Sequence, residues 1–102
     1  MFVVMNRVPV TPEWEERVEQ RFGQRQGQIE KNPGFVRMHI MKPQTPDTPY
    51  VVYMEWKNKQ AFENWLGSDD FKLAHANPLP REAFAGKSKI EQHEIFVSSD
   101  VE

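Results

Sequence analysis

Apolar residues on both faces of two predicted strands limit what this chain can fold into. Successive side chains of a strand point to opposite faces. In residues 50–57, one face carries Tyr50, Val52, Met54 and Trp56, and the other carries Val51 and Tyr53. In residues 35–42, Val36, Met38 and Ile40 share one face, and Phe35 and Met41 share the other. An antiparallel sheet with one face in water alternates between apolar and polar residues, so we expect helices on one face and a second subunit on the other.

The order of the predicted elements defines the fold class. Residues 43–49 contain three prolines and form a loop between the two strands just described. The remaining elements are a strand over residues 2–10, a helix over 12–30, two short helices over 58–66 and 68–75, a long connection over 77–88 and a strand over 88–98. The order is β-α-β-β-α-β, which predicts an α+β, ferredoxin-like fold with an antiparallel sheet.

Short polar and proline signals set the predicted helix boundaries. Thr11 followed by Pro12 is typical of a helix start, with Thr11 as the N-cap. Residues 32–34, Asn-Pro-Gly, end that helix. Ser68 is expected to cap the second short helix, because Asp69 and Asp70 follow it in the first turn.

Composition excludes several classes of protein. The 102 residues predict one domain, and the net charge of −2 with mixed signs gives no nucleic-acid footprint. The absence of cysteine excludes disulfides, thiolate metal sites and a thiol nucleophile. The N-terminus has neither the basic region nor the long apolar region of a signal peptide, and no apolar run reaches membrane-spanning length. We expect a cytoplasmic protein without membrane or nucleic-acid partners.

Three residues are the best candidates for function: Asn6, Trp65 and His75. Asn6 interrupts an apolar strand face, and a buried amide without a partner costs a few kcal/mol, so either the backbone satisfies it or it faces a pocket. Trp65 on its own is more often a core residue, and a single His near a helix end is more often a surface residue. Neutral His is nevertheless a good metal ligand.

Together these residues carry a resemblance to a known family. The segments are Met-Asn6-Arg-Val, Arg21-Phe-x-x-Arg-x-Gly27-x-Ile-Glu, Gly34-Phe35, and Trp56-Lys-x-Lys-Gln-Ala-Phe-x-x-Trp65-Leu-x-Ser-Asp-x-Phe71-Lys-x-Ala-His75. In these segments the chain resembles the Isd-type haem-degrading monooxygenases of the antibiotic biosynthesis monooxygenase superfamily. The likeness covers residues 1–76 and resumes weakly in the last strand, whereas residues 43–49 and 77–88 show no useful match.

The resemblance implies a homodimeric α+β barrel with one haem pocket in each subunit. It assigns His75 as the axial iron ligand and Asn6 as a hydrogen-bond donor to the dioxygen that is activated on the distal side. Trp65 would hold the porphyrin out of plane, and Phe22 and Phe71 would join these residues in binding the cofactor. Haem is then both cofactor and substrate, and O2 cleaves it to iron and a linear tetrapyrrole. The electrons come from an external reductant, supplied by a reductase, because the chain has no flavin or nicotinamide motif.

Two other functions remain open from the sequence. One is a cofactor-independent monooxygenase of the same superfamily that acts on a polycyclic aromatic or quinone-like substrate. The other is a non-catalytic haem-binding barrel. His39 and His93 are weaker ligand candidates than His75, because they lie mid-strand without supporting aromatic spacing.

Overall fold

A computed structural model describes residues 1–24 and 29–101. Within them, short 3-10 turns at Pro12–Trp14, Ile29–Lys31 and Arg81–Ala83 accompany the main elements. These main elements are, in chain order, β1 Phe2–Val8, α1 Glu15–Gly23, β2 Phe35–Met41, β3 Tyr50–Trp56, α2 Lys59–Leu66, α3 Asp69–Ala74 and β4 Lys89–Glu94. None of the helices in the described residues has the length and apolar character needed to cross a membrane.

The four strands form one antiparallel sheet in the order β2-β3-β1-β4. β1 lies in the middle, between β3 and β4, although it comes first in the chain. This order and connectivity confirm the predicted ferredoxin-like α+β fold.

One face of the sheet, which we call the covered face, packs against the helices around a cluster of aromatic rings. Trp56 is 0% exposed, and its ring lies 5.3 Å from Phe35, 6.1 Å from Phe62 and 6.4 Å from Trp65 between centroids. At the edge of the cluster, Gly34 has φ +85°, and a Cβ there would lie 2.5 Å from the Ala61 Cβ. Only glycine accepts both that conformation and that contact, so α2 packs directly on the turn that leads into β2.

A bulge at the start of β2 corrects the predicted facing of Phe35. Phe35 pairs with Trp56 and Arg37 pairs with Glu55, so Val36 is an extra residue in the strand. Simple alternation placed Phe35 opposite Met38 and Ile40, and this was wrong. The bulge turns Phe35 to the covered face, where both Phe35 and Met38 pack against the core.

The opposite face, which we call the open face, combines apolar residues with paired charges. Glu55 is 6% exposed and accepts hydrogen bonds from Arg37 Nη1 at 2.7 Å and from the Tyr53 hydroxyl at 2.5 Å. The hydrogen bond to Glu55 raises the pKa of Tyr53 above its ordinary value. On this same face, between β1 and β4, Arg7 Nε donates to Glu91 Oε1 at 2.6 Å. The charges of this face are therefore satisfied within the chain.

The first predicted helix was too long. α1 ends at Gly23 and not at residue 30; residues 25–28, with Arg25 and Gly27 of the quoted segment, lie outside the described residues, and residues 29–31 form a separate turn. Thr11 does not cap a helix with its side chain, because its hydroxyl donates to the Glu82 carbonyl instead. The predicted helix starts at Asn58 and at Ser68 are confirmed. Both side chains accept a hydrogen bond from a backbone amide in the first turn of their helix.

Two strands are shorter than predicted. β1 ends at Val8, and Val10 forms only an isolated bridge with Phe84. β4 ends at Glu94, which pairs with Phe2 at the beginning of β1. The Ile95 amide still donates to the Met1 carbonyl at 2.9 Å, and residues 96–98 extend past the start of the chain.

Candidate active site

Three of the predicted residues form a continuous series of rings from the core to the surface. The Trp65 and Phe71 rings meet edge to face with centroids 5.5 Å apart. The Phe71 and His75 rings lie 4.2 Å apart at an interplanar angle of 32°. Exposure increases along the series, because Trp65 is buried, Phe71 is half-buried and His75 is exposed.

Two helix caps set the spacing of this series. The Asn58 side chain accepts from the Ala61 amide at 2.9 Å and starts α2, which carries Trp65. The Ser68 hydroxyl accepts from the Phe71 amide at 3.1 Å and donates to the Trp65 carbonyl at 2.7 Å. Ser68 therefore closes the turn after α2 and caps the start of α3. This short connection places the Phe71 ring next to the Trp65 ring. His75 follows Phe71 by four residues, about one helical turn, so the two side chains lie on the same side of α3.

The hydrogen bond of His75 fixes its tautomer. His75 Nδ1 lies 2.9 Å from the Phe71 carbonyl oxygen. A carbonyl oxygen only accepts, so Nδ1 carries the proton and the lone pair of the neutral ring is on Nε2. Metal-binding histidines are commonly oriented in this way, with one nitrogen donating to a carbonyl and the other free for the metal.

Asn6 lies on the covered face and has a buried atom without a partner. It shares this face with Phe2 and Val4, both of which belong to or pack against the core. In the part of the chain that the structure describes, Asn6 Oδ1 is buried and has no hydrogen-bond partner. The backbone therefore does not satisfy this atom, and the pocket-facing alternative for Asn6 is favoured, since an unpaired buried amide costs about 1–3 kcal/mol.

The side chains of Trp65 and Phe22 are less accessible to a ligand than the resemblance implies. Trp65 is only 4% exposed, since it is packed between Trp56 and Phe71. Phe22, on α1, contacts Tyr50 with ring centroids 6.3 Å apart and lines a cavity of about 270 Å³ between α1 and the sheet. The structure thus brings Trp65, Phe71 and His75 into contact, and it places Asn6 and Phe22 on the same side of the sheet on other elements.

A larger cavity lies beside α1. It has a volume of about 450 Å³ and is lined by Trp14, Arg17, Gln20, Arg21, Gln24, Leu79 and Pro80. Neither this cavity nor the smaller one is lined by Asn6, Trp65 or His75. Trp65 is 4% exposed, and one side of its ring is covered by Phe71, which in turn contacts His75.

Charged groups lie at the rim of the smaller cavity. The Tyr50 hydroxyl donates to Glu19, whose carboxylate also pairs with Lys42 Nζ at 3.1 Å. The bond from Tyr50 and then that from Lys42 lower the pKa of Glu19, and burial together with the same carboxylate raises the pKa of Tyr50 well above its ordinary value. Tyr50 is therefore neutral and acts as a hydrogen-bond donor there.

The other histidines do not take part in this arrangement. His39 stacks on Tyr53 at 5.8 Å on the open face, and His93 pairs with Val3 in the strand register on that same face. In residues 1–24 and 29–101, no three histidine, aspartate or glutamate side chains are grouped so that they could hold a metal ion. Among the described residues, His75 is thus the histidine placed at the aromatic series.

Two contributors were missed from the sequence. The Phe71 carbonyl orients His75, but a backbone acceptor has no side-chain signature. Arg21 Nη1 donates to the Asn77 carbonyl, two residues after His75. Arg21 begins one of the segments that carry the resemblance, which marked it as a residue of interest. Nothing in the spacing of that segment indicated that its side chain reaches the connection after α3.

The comparisons with known proteins identify the family of this chain. The family model described as antibiotic biosynthesis monooxygenase matches residues 1–77. A heme oxygenase of Staphylococcus haemolyticus, named as staphylobilin-producing, is 35% identical over 79 residues, which are 76% of this chain and 75% of that protein. The chain therefore belongs to the antibiotic biosynthesis monooxygenase family, and the predicted resemblance is confirmed.

Solved structures share the fold. The heme-degrader MhuD of Mycobacterium tuberculosis, with two hemes bound in its active site, is 23% identical with a TM-score of 0.80 and covers 98% of this chain and 100% of its own. A mutant of SnoaB, a cofactor-independent oxygenase of Streptomyces nogalater, is 25% identical with a TM-score of 0.74 and covers 95% of this chain and 94% of its own. One architecture thus serves both kinds of oxygenase, so the residues of the site must decide between them.

Proposed function

We propose that this protein is a haem-degrading monooxygenase, which cleaves the porphyrin with dioxygen and external electrons and releases iron and a linear tetrapyrrole. The single observation that carries the proposal is the hydrogen bond from His75 Nδ1 to the Phe71 carbonyl, because it leaves Nε2 as the metal-binding nitrogen. The 35% identity with a staphylobilin-producing heme oxygenase supports the choice of substrate.

The residues of the chain fit a haem group in three respects. His75 offers a solvent-accessible imidazole, Trp65 and Phe71 offer aromatic surface beside it, and Asn6 offers an amide on the covered face whose Oδ1 is buried without a partner in the described residues. Haem supplies both the iron at which dioxygen is activated and the ring that is oxidised. His75 would hold the iron, and Asn6 would offer its side-chain amide hydrogen to dioxygen. Phe22 would contact the macrocycle from α1.

Trp65 would contact the macrocycle. Its ring is supported by Trp56 on one side and by Phe71 on the other. A side chain packed in this way resists displacement, because protein interiors have low compressibility. We expect Trp65→Phe to bind haem but to degrade it more slowly, since the smaller ring would contact the porphyrin less.

We further propose a homodimer in which the open faces of two sheets meet. Several apolar residues support this assembly: Met41 is exposed on the open face, Phe96 is 93% exposed, and Val97 is 72% exposed. Sedimentation equilibrium should give about twice the chain mass of 12.0 kDa. A reductase as the electron donor and a cytoplasmic location are parts of the same proposal and stay predictions.

A haem titration followed by ascorbate tests the function. A shifted Soret band, bleaching under ascorbate and a tetrapyrrole detected by mass spectrometry are expected. A stable shifted band would indicate a haem-binding protein without this activity. The control is His39→Ala, which should behave as wild type because His39 lies on the open face.

The second candidate is a cofactor-independent oxygenase that acts on a polycyclic aromatic or quinone-like substrate. Two observations favour it: the likeness to SnoaB, and the packing of Phe71 and His75 over Trp65. In this function Asn6 and Trp65 position an aromatic substrate, and His75 contributes a hydrogen bond. If wild type shows no Soret shift with haem, this candidate takes first place.

A further inference from the structure

The connection between α3 and β4 is held differently in its two halves. Residues 81–85 are fixed to the segment between β1 and α1: the Thr11 amide donates to the Ala83 carbonyl at 2.9 Å, and the Ala85 amide donates to the Pro9 carbonyl at 3.1 Å. Ala83 is 0% exposed. This half of the connection is a rigid anchor for the chain that leads to β4.

The other half, residues 75–80, lies at the surface. His75, Ala76, Asn77, Pro78 and Pro80 are exposed, and Leu79 is half-buried against the larger cavity. Leu73, on the last turn of α3, is 55% exposed. A segment with so little buried surface opens at a low free-energy cost unless a specific contact holds it.

Arg21 supplies such a contact. Its Nη1 donates to the Asn77 carbonyl, and its guanidinium lines the larger cavity together with Leu79 and Pro80. Hydrogen bonds from a charged donor are the stronger ones in proteins. The bond joins α1, which packs on the covered face through Val18, to a point two residues beyond His75.

We propose that Arg21 is a positioning residue for His75. By holding the Asn77 carbonyl, Arg21 keeps the end of α3 closed and keeps the His75 ring against Phe71, in the orientation that presents Nε2. The inference rests on the proposed function, in which His75 is the iron ligand, but its structural part, the holding of α3 by Arg21, does not depend on haem.

Arg17 provides a matched comparison within the same helix. It is one turn earlier than Arg21, has the same charge and lines the same cavity. Its guanidinium lies 4.9 Å above the Trp14 ring and has no contact with Asn77. A general effect of positive charge at the cavity should therefore appear with either arginine, whereas positioning of His75 should depend on Arg21 alone.

Hydrogen–deuterium exchange without haem tests the structural part. In Arg21→Gln, the amides of residues 72–77 should exchange about 5- to 10-fold faster than in wild type, the effect of losing a partly exposed charge-assisted hydrogen bond. Arg17→Gln should leave these rates unchanged, and so should Asn77→Ala, because that substitution keeps the backbone carbonyl. Arg21→Lys should restore part of the protection. Equal rates in wild type and Arg21→Gln would overturn the proposal.

Ferric haem spectra and titrations test the consequence for His75. The apparent Kd of Arg21→Gln should rise by a similar factor of about 5 to 10, because a smaller fraction of the protein is in the binding-competent state. Its spectrum should contain a mixture of histidine-ligated and other species. If wild type shows histidine ligation and Arg21→Gln matches it in both spectrum and affinity, the positioning role is wrong while the proposed function stands. If wild type itself shows no histidine ligation, it is the proposed function that fails.

Discussion

The two faces of the sheet differ in whether their buried polar groups have hydrogen-bond partners. On the open face, the Glu55 carboxylate is almost fully buried, yet both of its oxygens accept hydrogen bonds. On the covered face, Asn6 Oδ1 and Trp56 Nε1 are buried without a partner in the described residues. A satisfied buried group indicates a structural role, whereas an unsatisfied one costs stability and calls for another explanation. The difference supports the proposal that the function belongs to the covered face and that the open face packs against a second subunit.

The largest expected effect is that of His75→Ala. Loss of the axial ligand should abolish haem degradation and lower haem affinity by at least roughly 10- to 100-fold, the range found when even an outer-shell partner of a metal ligand is removed. The ferric haem spectrum should lose its histidine-ligated form. His93→Ala on the open face is the control and should keep spectrum, affinity and bleaching. A His75→Ala protein that still bleaches haem normally would contradict the ligand assignment.

Core truncation should affect the two faces unequally. Trp56→Ala should lower the free energy of unfolding by about 3–5 kcal/mol, because it removes a fully buried aromatic ring. Met41→Ala on the open face should cost less than about 0.5 kcal/mol in dilute protein. Urea unfolding measures both. If two copies meet through the open face, the cost of Met41→Ala should increase with protein concentration, and a cost that is independent of concentration would argue against that interface.

Asn6→Leu should separate stability from function. Replacing an unsatisfied amide with an apolar group of similar size should raise the free energy of unfolding by about 1 kcal/mol. Haem should still bind, whereas its degradation should slow by roughly 10²-fold, the typical cost of losing one hydrogen-bond donor at developing charge. Asn58→Ala, which removes the α2 cap, should do the reverse and cost about 1 kcal/mol without slowing turnover. A destabilised but fully active Asn6→Leu protein would remove Asn6 from the site.

The smallest effect concerns the acid stability of the open face. The hydrogen bond from Arg7 lowers the pKa of Glu91 below its ordinary value of 4.5. The stability that this pair contributes is therefore present above pH 4.5 and is lost as the pH falls through the lower, folded-state pKa. Glu91→Gln should flatten this part of the pH profile in urea unfolding, and Glu94→Gln on the same strand should not. Parallel profiles for wild type and Glu91→Gln would show that the pair adds nothing.

The sequence predicted the order of the elements and the starts of α2 and α3, because alternation, proline and capping signals act locally. It failed where a distant contact decides the outcome. β4 ends at Glu94 although β-branched and aromatic residues continue after it. Its partner there is Phe2, the first residue of β1. α1 stops at Gly23, whereas the apolar pattern continued to Ile29.

The same limit applies to the candidate site. Trp65, Phe71 and His75 lie close together in the chain, and the resemblance to a known family grouped them in one pocket. The packing of Phe71 and His75 over Trp65 could not be predicted, because it depends on which side chains fill the space beside α2. The bond from Arg21 to Asn77 joins residues 56 positions apart through a backbone acceptor, and such contacts have no sequence pattern.

The bulge in β2 makes Val36 a supernumerary residue. Val36 has no partner in the β3 register, while Phe35 and Arg37 face consecutive β3 residues. A chain without Val36 would run as a regular strand in which Phe35 and Met38 still face the helices and Arg37 still reaches Glu55. The length of this strand is therefore free to vary by one residue, and relatives aligned to this protein are expected to tolerate a single-residue gap at that position while keeping both faces of the sheet intact.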